Sequence, residues 1–342
     1  MSLKFYSCIF LASAAMAQTG SFHATPLIDY ASGQLYLGKY AGLLYDGSNT
    51  PPADQDSVAR AAAAGVQTLN SQGVPDPHGK IVFASVGMSN AAAEWCDPKP
   101  PHITCETFSL IGQAAADAQV NHATLAIVNG ARRAITAQFW TCATGPCFGS
   151  PNQFDRVRDD VLRPAGLTEK QVQVVWLKNA DGNPDTSLVH GSNADAFALE
   201  ANFGDIVRAI RTRWPNVKLV FLASRIYAGY ANTPLNPEPF AYESGFSVKW
   251  LINAQIQQRR TGNVDPIAGD LIADAPVLLW GPYLWGNGTQ NLKGSKALSW
   301  ARDQLGADGT HPSGDGVTQV GTALLNYFLA SPYAPWFRAS GK

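Results

Sequence analysis

The sequence predicts an α/β fold: a doubly wound, three-layer sandwich around a mainly parallel sheet of five strands. Short apolar runs alternate along the chain with longer segments of helical periodicity, which is typical of a parallel sheet with helices on both faces. With 46% hydrophobic and only 15% charged residues, a chain of 342 residues can bury a large core. This composition argues against a disordered protein and favours one large domain with loop insertions.

Five apolar runs are predicted as the strands of this sheet. They cover residues 81–87, 123–128, 171–177, 217–223 and 276–280. Segments of helical character are predicted at residues 57–69, 106–119, 153–162, 195–214, 247–258 and 316–329. Residues 225–246, which are rich in proline and tyrosine, are predicted as an irregular insertion after the fourth strand, at an edge where such folds carry functional loops.

The first residues have the pattern of a secretory signal. Lys4 precedes a short apolar stretch, and Ala15-Met16-Ala17 stands directly before Gln18. We therefore expect a signal peptide over residues 1–17, a single domain over residues 18–342, and a secreted or periplasmic protein. No later apolar run is long enough to span a bilayer.

The cysteines favour disulfides over a metal site. Of the five cysteines, Cys8 lies in the predicted signal, and the other four are Cys96, Cys105, Cys142 and Cys147. Export makes disulfides their natural state, and we expect Cys96 to pair with Cys105 and Cys142 with Cys147, because each pair closes a short loop. A zinc site is not expected, since neither spacing is C-x-x-C and no H-E-x-x-H is present.

The charge pattern limits the classes of partner. The formal net charge is -1, and the chain has no run of lysines or arginines. Nucleic acid and an anionic membrane are therefore not expected as partners.

Two separated motifs carry chemistry. Asp308-Gly-Thr-His311 places a carboxylate three residues ahead of a histidine in a loop rich in glycine and proline. Ser89 follows the first predicted strand and the turn residue Gly87, at the edge where open α/β sheets bind ligands. A serine hydroxyl is a weak nucleophile, so it needs an imidazole to take its proton and a carboxylate to orient that imidazole. Each residue alone would also fit a structural role, Ser89 as a helix N-cap and the other two as turn residues.

Together these motifs resemble those of the SGNH (GDSL-type) hydrolases. Gly87-Met88-Ser89-Asn90 is similar to the first block of that family, in the G-x-S-N form of some carbohydrate acetylesterases, although Met88 stands where the namesake motif has aspartate. Asp308-Gly-Thr-His311 resembles the last block. The second block falls on Gly130 and the third on Asn179, where the usual G-x-N-D is absent.

The resemblance implies a flavodoxin-like fold and a role for each matched residue. Ser89 is the expected nucleophile, His311 the base and Asp308 the residue that orients it. The oxyanion hole is expected from Ser89, Gly130 and Asn179. No metal or organic cofactor is implied.

Four further residues are candidates for substrate binding, and each has a structural alternative. Asn90 either caps a helix or contacts substrate, and Arg225 either binds a sugar or carboxylate or forms a salt bridge. Tyr283 and Trp285 lie in an aromatic segment that either binds sugar or packs in the core. Lys178 and Asp181 are expected to form an exposed ion pair or to be loop residues.

The sequence thus predicts a secreted serine esterase that hydrolyses small acyl esters, with O-acetyl groups on carbohydrate as the favoured substrate. Two alternatives stay open. One is a non-catalytic carbohydrate-binding protein on the same fold, and the other is an esterase for lipid or aryl esters.

Overall fold

The computed structural model describes residues 22–96 and 104–339. The predicted signal peptide lies outside these residues. A short antiparallel ribbon, β1 (Leu35–Tyr36) and β2 (Tyr40–Ala41), precedes the main sheet. The strands of the main sheet are β3 (Ile81–Gly87), β4 (Leu125–Val128), β5 (Val172–Lys178), β6 (Leu219–Leu222) and β7 (Val277–Trp280).

The main sheet has the order β4-β3-β5-β6-β7, and every neighbouring pair is parallel. The predicted fold class is confirmed. All residues of β3 and β5 are buried, as expected for central strands covered on both faces. The chain passes from β3 outward to β4 and then returns to β5 on the other side of β3. The carboxyl ends of β3 and β5 therefore form the switch point at which such sheets bind ligands.

Seven α-helices surround the sheet in the described part of the chain. They are α1 (Ala53–Ala64), α2 (Ser89–Trp95), α3 (Leu110–Ala116), α4 (Gln153–Arg156), α5 (Asp195–Arg213), α6 (Phe240–Thr261) and α7 (Gly314–Ala330). Helix α4 continues into a π-helical turn at Val157–Leu162. Stacked and edge-to-face aromatic contacts join the sheet to α2 and α7, as between Trp176 and Trp95 and between Phe221 and Phe328.

The region predicted as an irregular insertion is partly helical. Helix α6 begins at Phe240, seven residues before the predicted start, so residues 240–246 correct the prediction. The helix begins there because the Glu238 carboxylate accepts a hydrogen bond from the Tyr242 backbone N–H at 2.9 Å, which satisfies a donor that an α-helix leaves free in its first turn.

Both predicted disulfides are confirmed. Cys96 is bonded to Cys105 and Cys142 to Cys147. Within the described ranges, no helix is long and apolar enough to cross a membrane.

Candidate active site

Strand β3 delivers Ser89 to the edge of the sheet through a tight turn. At Gly87 a Cβ atom would lie 2.1 Å from the Lys178 carbonyl oxygen and 2.6 Å from Cβ of Ala91, so only glycine fits between β5 and α2. Met88 is extended, and Ser89 is the first residue of α2. The serine side chain is thereby presented at the end of the strand.

The loop that carries His311 is built on a glycine in the left-handed region. Gly309 has a φ of +68°, and a Cβ atom there would lie 1.9 Å from the Tyr230 carbonyl oxygen. Two hydrogen bonds fix this loop: Asn232 N–H donates to the Asp308 carbonyl at 3.0 Å, and Asn90 Nδ2 donates to the Thr310 carbonyl at 3.1 Å. Asn90 thus ties α2 to the histidine loop.

The three predicted catalytic side chains are brought together. Nε2 of His311 lies 2.6 Å from Oγ of Ser89, and Nδ1 lies 2.5 Å from Oδ2 of Asp308. When the Nδ1 proton is donated to Asp308, Nε2 can accept the hydroxyl proton of Ser89. These distances match those of a nucleophile, a base and an orienting carboxylate.

The Asp308 carboxylate is held in its charged form. Burial raises the pKa of Asp308, but hydrogen bonds from the His311 ring and from the backbone N–H groups of Thr310 and His311 outweigh this effect. The pKa of this carboxyl therefore lies below its ordinary value of 3.8. At neutral pH it is an anion that can stabilise a positive imidazole.

Ser89 and His311 open into a cavity of about 300 Å³. This volume is at the small end of the range for ligand-binding pockets. Its walls are formed by Met88, Ser89, Arg133, Ala134, Thr136, Gly182, Asn183, Arg225, Leu235, Asn236, Thr310 and His311. A wider groove of about 670 Å³ beside α6 contains none of the three predicted catalytic side chains.

Gly130 and Asn179, two of the three candidates for the oxyanion hole, do not line this cavity. The Gly130 carbonyl accepts a hydrogen bond from Arg156. Asn179 is 1% exposed, and its side chain already bonds the Ile135 carbonyl and the Ala180 N–H. The oxyanion roles of Gly130 and Asn179 stay predictions. The role of the Ser89 N–H also stays a prediction; Ser89 is the first residue of α2, so its N–H has no partner within the helix.

Of the four candidates for substrate binding, only Arg225 lines the cavity. Asn90 is buried against the histidine loop, as described above. The Tyr283 hydroxyl accepts a hydrogen bond from the Leu27 N–H at 3.0 Å, and Trp285 Nε1 donates to Glu238 at 2.7 Å. These two aromatic side chains are buried in the core because their polar atoms find internal partners there.

A buried ion pair lies close to the nucleophile, and sequence reasoning missed it. Lys178 and Glu94 are 1% and 0% exposed, and the lysine Nζ lies 2.5 and 2.6 Å from the two carboxylate oxygens. Lys178 was expected to form an exposed ion pair with Asp181 or to lie in a loop, but Asp181 is also buried and accepts a hydrogen bond from Asn202 at 2.8 Å. The exposed ion pair is therefore wrong, because each group finds another partner far away in sequence, whereas Asp181 does lie in a loop after β5.

Three polar residues of the cavity wall were also missed. Thr136 follows an arginine-rich loop, and Asn183 and Asn236 both adopt positive φ angles of 51° and 55°. The signal for the two asparagines is their position before or near prolines in loops that follow strands, where asparagine tolerates left-handed backbone.

Comparison with known proteins finds solved structures that are similar to this chain, but no matching sequence family. No family model matches the chain, and no curated protein matches it. A solved structure of a catalytic mutant of an acetylxylan esterase from Geobacillus stearothermophilus is similar, with 12% identity over 76% of this chain and 97% of the other, and a TM-score of 0.39. An extracellular lipase from Streptomyces rimosus matches with 12% identity over 72% and 98%, and a TM-score of 0.34. A family two carbohydrate esterase from Cellvibrio japonicus matches with 12% identity over 74% and 62%, and a TM-score of 0.34.

Proposed function

We propose that this protein is a secreted serine esterase of the SGNH type that hydrolyses small acyl esters, with O-acetyl groups on carbohydrate as substrates. The observation that carries the proposal is the continuous chain of hydrogen bonds from Ser89 through His311 to Asp308.

In the first step, Oγ of Ser89 attacks the carbonyl carbon of the ester while Nε2 of His311 takes the hydroxyl proton. The imidazolium that forms is stabilised by the ionised Asp308 across the 2.5 Å contact. The tetrahedral intermediate then collapses: the bond to the alcohol oxygen breaks, the alcohol takes the proton from Nε2, and an acyl-Ser89 ester remains.

In the second step, a water molecule gives its proton to Nε2 and attacks the acyl-serine. Collapse of the second intermediate releases the carboxylic acid and returns the proton to Oγ of Ser89. Backbone N–H groups of Ser89 and Gly130 are the proposed donors to the oxyanion in both intermediates. Neither step requires a cofactor.

Three observations support the substrate and the location. The cavity of about 300 Å³ has room for a short acyl chain and one sugar ring and is small for a long lipid chain. The G-x-S-N motif at Ser89 resembles that of carbohydrate acetylesterases. The two disulfides are compatible with an oxidising compartment, which agrees with the predicted signal peptide.

The decisive variant is Ser89→Ala. It removes only the attacking oxygen, so we expect kcat/KM on p-nitrophenyl acetate to fall by about 10⁴-fold or more with an unchanged circular dichroism spectrum. A fluorophosphonate probe should label the wild-type protein at Ser89 and leave the variant unlabelled.

Ser57→Ala is the matched control, because Ser57 is exposed on α1. This control should keep both activity and labelling. A folded Ser89→Ala protein that hydrolyses p-nitrophenyl acetate near the wild-type rate would disprove the proposed nucleophile. A screen of acetylated polysaccharides against p-nitrophenyl esters of increasing chain length then tests the substrate class.

A further inference from the structure

The wall of the cavity around Ser89 contains positively charged side chains and no negatively charged ones. Its walls contain two arginines, Arg133 and Arg225, together with His311, and none of its lining residues is an aspartate or glutamate. Asp308 is close, but it contacts the far side of the imidazole ring. A substrate that enters this cavity meets two arginines and no carboxylate, while His311 acts as a neutral base.

Arg225 is a buried charge that forms no ion pair within the described residues, although Glu94, Glu238 and Asp308 lie near enough to raise its pKa. Its side chain is among the largest that are fully buried, with 1% of the residue exposed, and its Nε and Nη2 atoms have no hydrogen-bond partner. Removing a guanidinium from water without pairing it is costly, and buried arginines in proteins are normally paired. Burial lowers the pKa of Arg225 only to about 10, so the group is still a cation at neutral pH.

The carboxylates of the neighbourhood are engaged elsewhere. Glu94 holds both of its oxygens against Lys178. Glu238 accepts hydrogen bonds from Trp285 Nε1 and from two backbone N–H groups. Asp308 holds His311. No ion pair joins Arg225 to any carboxylate in residues 22–96 or 104–339.

The guanidinium is close to the reacting serine. Nη1 of Arg225 lies 3.9 Å from Sδ of Met88, and Met88 directly precedes Ser89 in the wall of the same cavity. A thioether is a weak acceptor on a flexible side chain, so an anionic oxygen can displace it. A planar guanidinium binds a carboxylate through two parallel hydrogen bonds, which are shorter and stronger than neutral ones.

We propose that Arg225 forms an anion subsite, so that the preferred substrate is an ester with a carboxylate in either its acyl or its alcohol portion. This inference rests on the proposed esterase function and adds a substrate class to it. Arg225 thereby determines specificity, while Ser89, His311 and Asp308 perform the reaction. The exposed Arg133 adds positive charge to the same cavity.

The test uses two matched pairs of esters on the wild-type protein. The acyl pair is p-nitrophenyl hydrogen succinate and its neutral methyl ester, and the alcohol pair is an O-acetylated methyl glucuronoside and the corresponding O-acetylated methyl glucoside. We expect kcat/KM to be about 10- to 100-fold higher for the charged member of one pair, as for a charge-assisted hydrogen bond. The pair that shows the preference identifies the portion that carries the carboxylate. Equal kcat/KM within both pairs would overturn the proposal.

Arg225→Met then assigns the preference to one side chain, because methionine fills similar space without charge. The ratio of charged to neutral kcat/KM should fall towards one, and Arg225→Lys should retain part of it. Arg163→Met is the control, since Arg163 is an exposed arginine outside the cavity, and its ratio should equal that of the wild type. An unchanged ratio in folded Arg225→Met would overturn the assignment, and the wild-type comparison stands even if this variant does not fold.

A binding measurement separates this proposal from the esterase function. Calorimetric titration of the Ser89→Ala variant with methyl glucuronoside, methyl glucoside and monomethyl succinate requires no turnover. Preferential binding of a carboxylated ligand, with no hydrolysis of any ester by the wild type, would retain the subsite and reject the esterase. Hydrolysis of all esters without any preference for charge would do the reverse.

Discussion

Two pairs of a carboxylate and a base lie near Ser89, and they differ in burial and in sequence separation. Asp308 and His311 are three residues apart, and their side chains are 27% and 28% exposed. Glu94 and Lys178 are 84 residues apart, and their side chains are 0% and 1% exposed. Both pairs have contacts of 2.5 Å, so distance alone does not distinguish them.

The difference in burial assigns the two pairs different roles. A partly exposed imidazole can exchange protons with a bound ester and with water, and its carboxylate serves to orient and stabilise it. The buried pair has no route to substrate. It connects α2 to the end of β5, on either side of the turn that presents Ser89. Burial lowers the pKa of Lys178 to about 8 and raises that of Glu94, and the opposite charge of each partner counteracts these shifts.

Among changes to these two pairs, Asp308→Asn is expected to have the largest effect, and this effect is on activity. The asparagine Oδ1 can still accept from the Thr310 and His311 N–H groups, so the loop keeps its hydrogen bonds. The amide no longer stabilises the imidazolium, and we expect kcat/KM to fall by about 10³- to 10⁴-fold with little change in melting temperature. The control is Asp315→Asn, because Asp315 is an exposed aspartate in the first turn of α7. Its kcat/KM should fall by at most twofold. Unchanged kcat/KM in Asp308→Asn would show that the loop is structural.

The next effect is on stability, from Glu94→Gln. This change leaves the Lys178 ammonium buried beside an uncharged amide, and breaking a buried pair in this way typically costs about 3 to 5 kcal/mol. Urea unfolding should report this loss, while kcat/KM per folded molecule should change by less than about tenfold, the opposite pattern to Asp308→Asn.

Two further variants test whether the loss comes from the unpaired charge. The double variant Glu94→Leu with Lys178→Met should recover most of the stability, because apolar side chains of similar volume often replace buried pairs without loss. Asp54→Asn, which breaks the exposed pair with Arg260, should have a much smaller effect. If Glu94→Gln is no less stable than Asp54→Asn, the buried pair does not stabilise the fold.

The same contrast explains which parts of the site could be predicted from the sequence. Asp308 and His311 share one short segment, and Ser89 lies two residues after an apolar strand, so the local pattern was enough to select all three. Lys178 ends strand β5 and Arg225 follows strand β6, but charged residues in such positions are normally solvated. Their burial depends on contacts across the fold that no local pattern contains.

The sheet was predictable because its strands are continuous apolar runs, whereas the start of α6 was not. Prolines and aromatic residues before residue 247 indicated a loop. The aromatic side chains Tyr242, Phe246 and Trp250 are in fact spaced by four and pack in sequence, with ring centroids 5.7 Å apart in each successive pair. The prolines precede the helix and do not interrupt it.

The smallest expected effect concerns a third carboxyl, Glu238, which is partly buried, accepts hydrogen bonds from neutral donors and makes no ion pair in the described part of the chain. Burial raises its pKa to about 7, although hydrogen bonds from Ala228, Trp285 and Tyr242 oppose the shift. Because the folded state then binds a proton more tightly than the unfolded state, whose pKa is 4.5, this contribution to stability is complete below about pH 4.5 and is lost as pH rises through 7. We expect about 1 to 3 kcal/mol of such loss across this window.

Glu238→Gln should flatten the dependence of the unfolding free energy on pH between 4.5 and 8. Asp54→Asn should not, since the hydrogen bond from Arg260 lowers the pKa of Asp54 to about 2 and neither partner titrates within this window. If the wild type and Glu238→Gln lose stability in parallel over this range, Glu238 is already ionised in the folded protein and its pKa is not raised by burial.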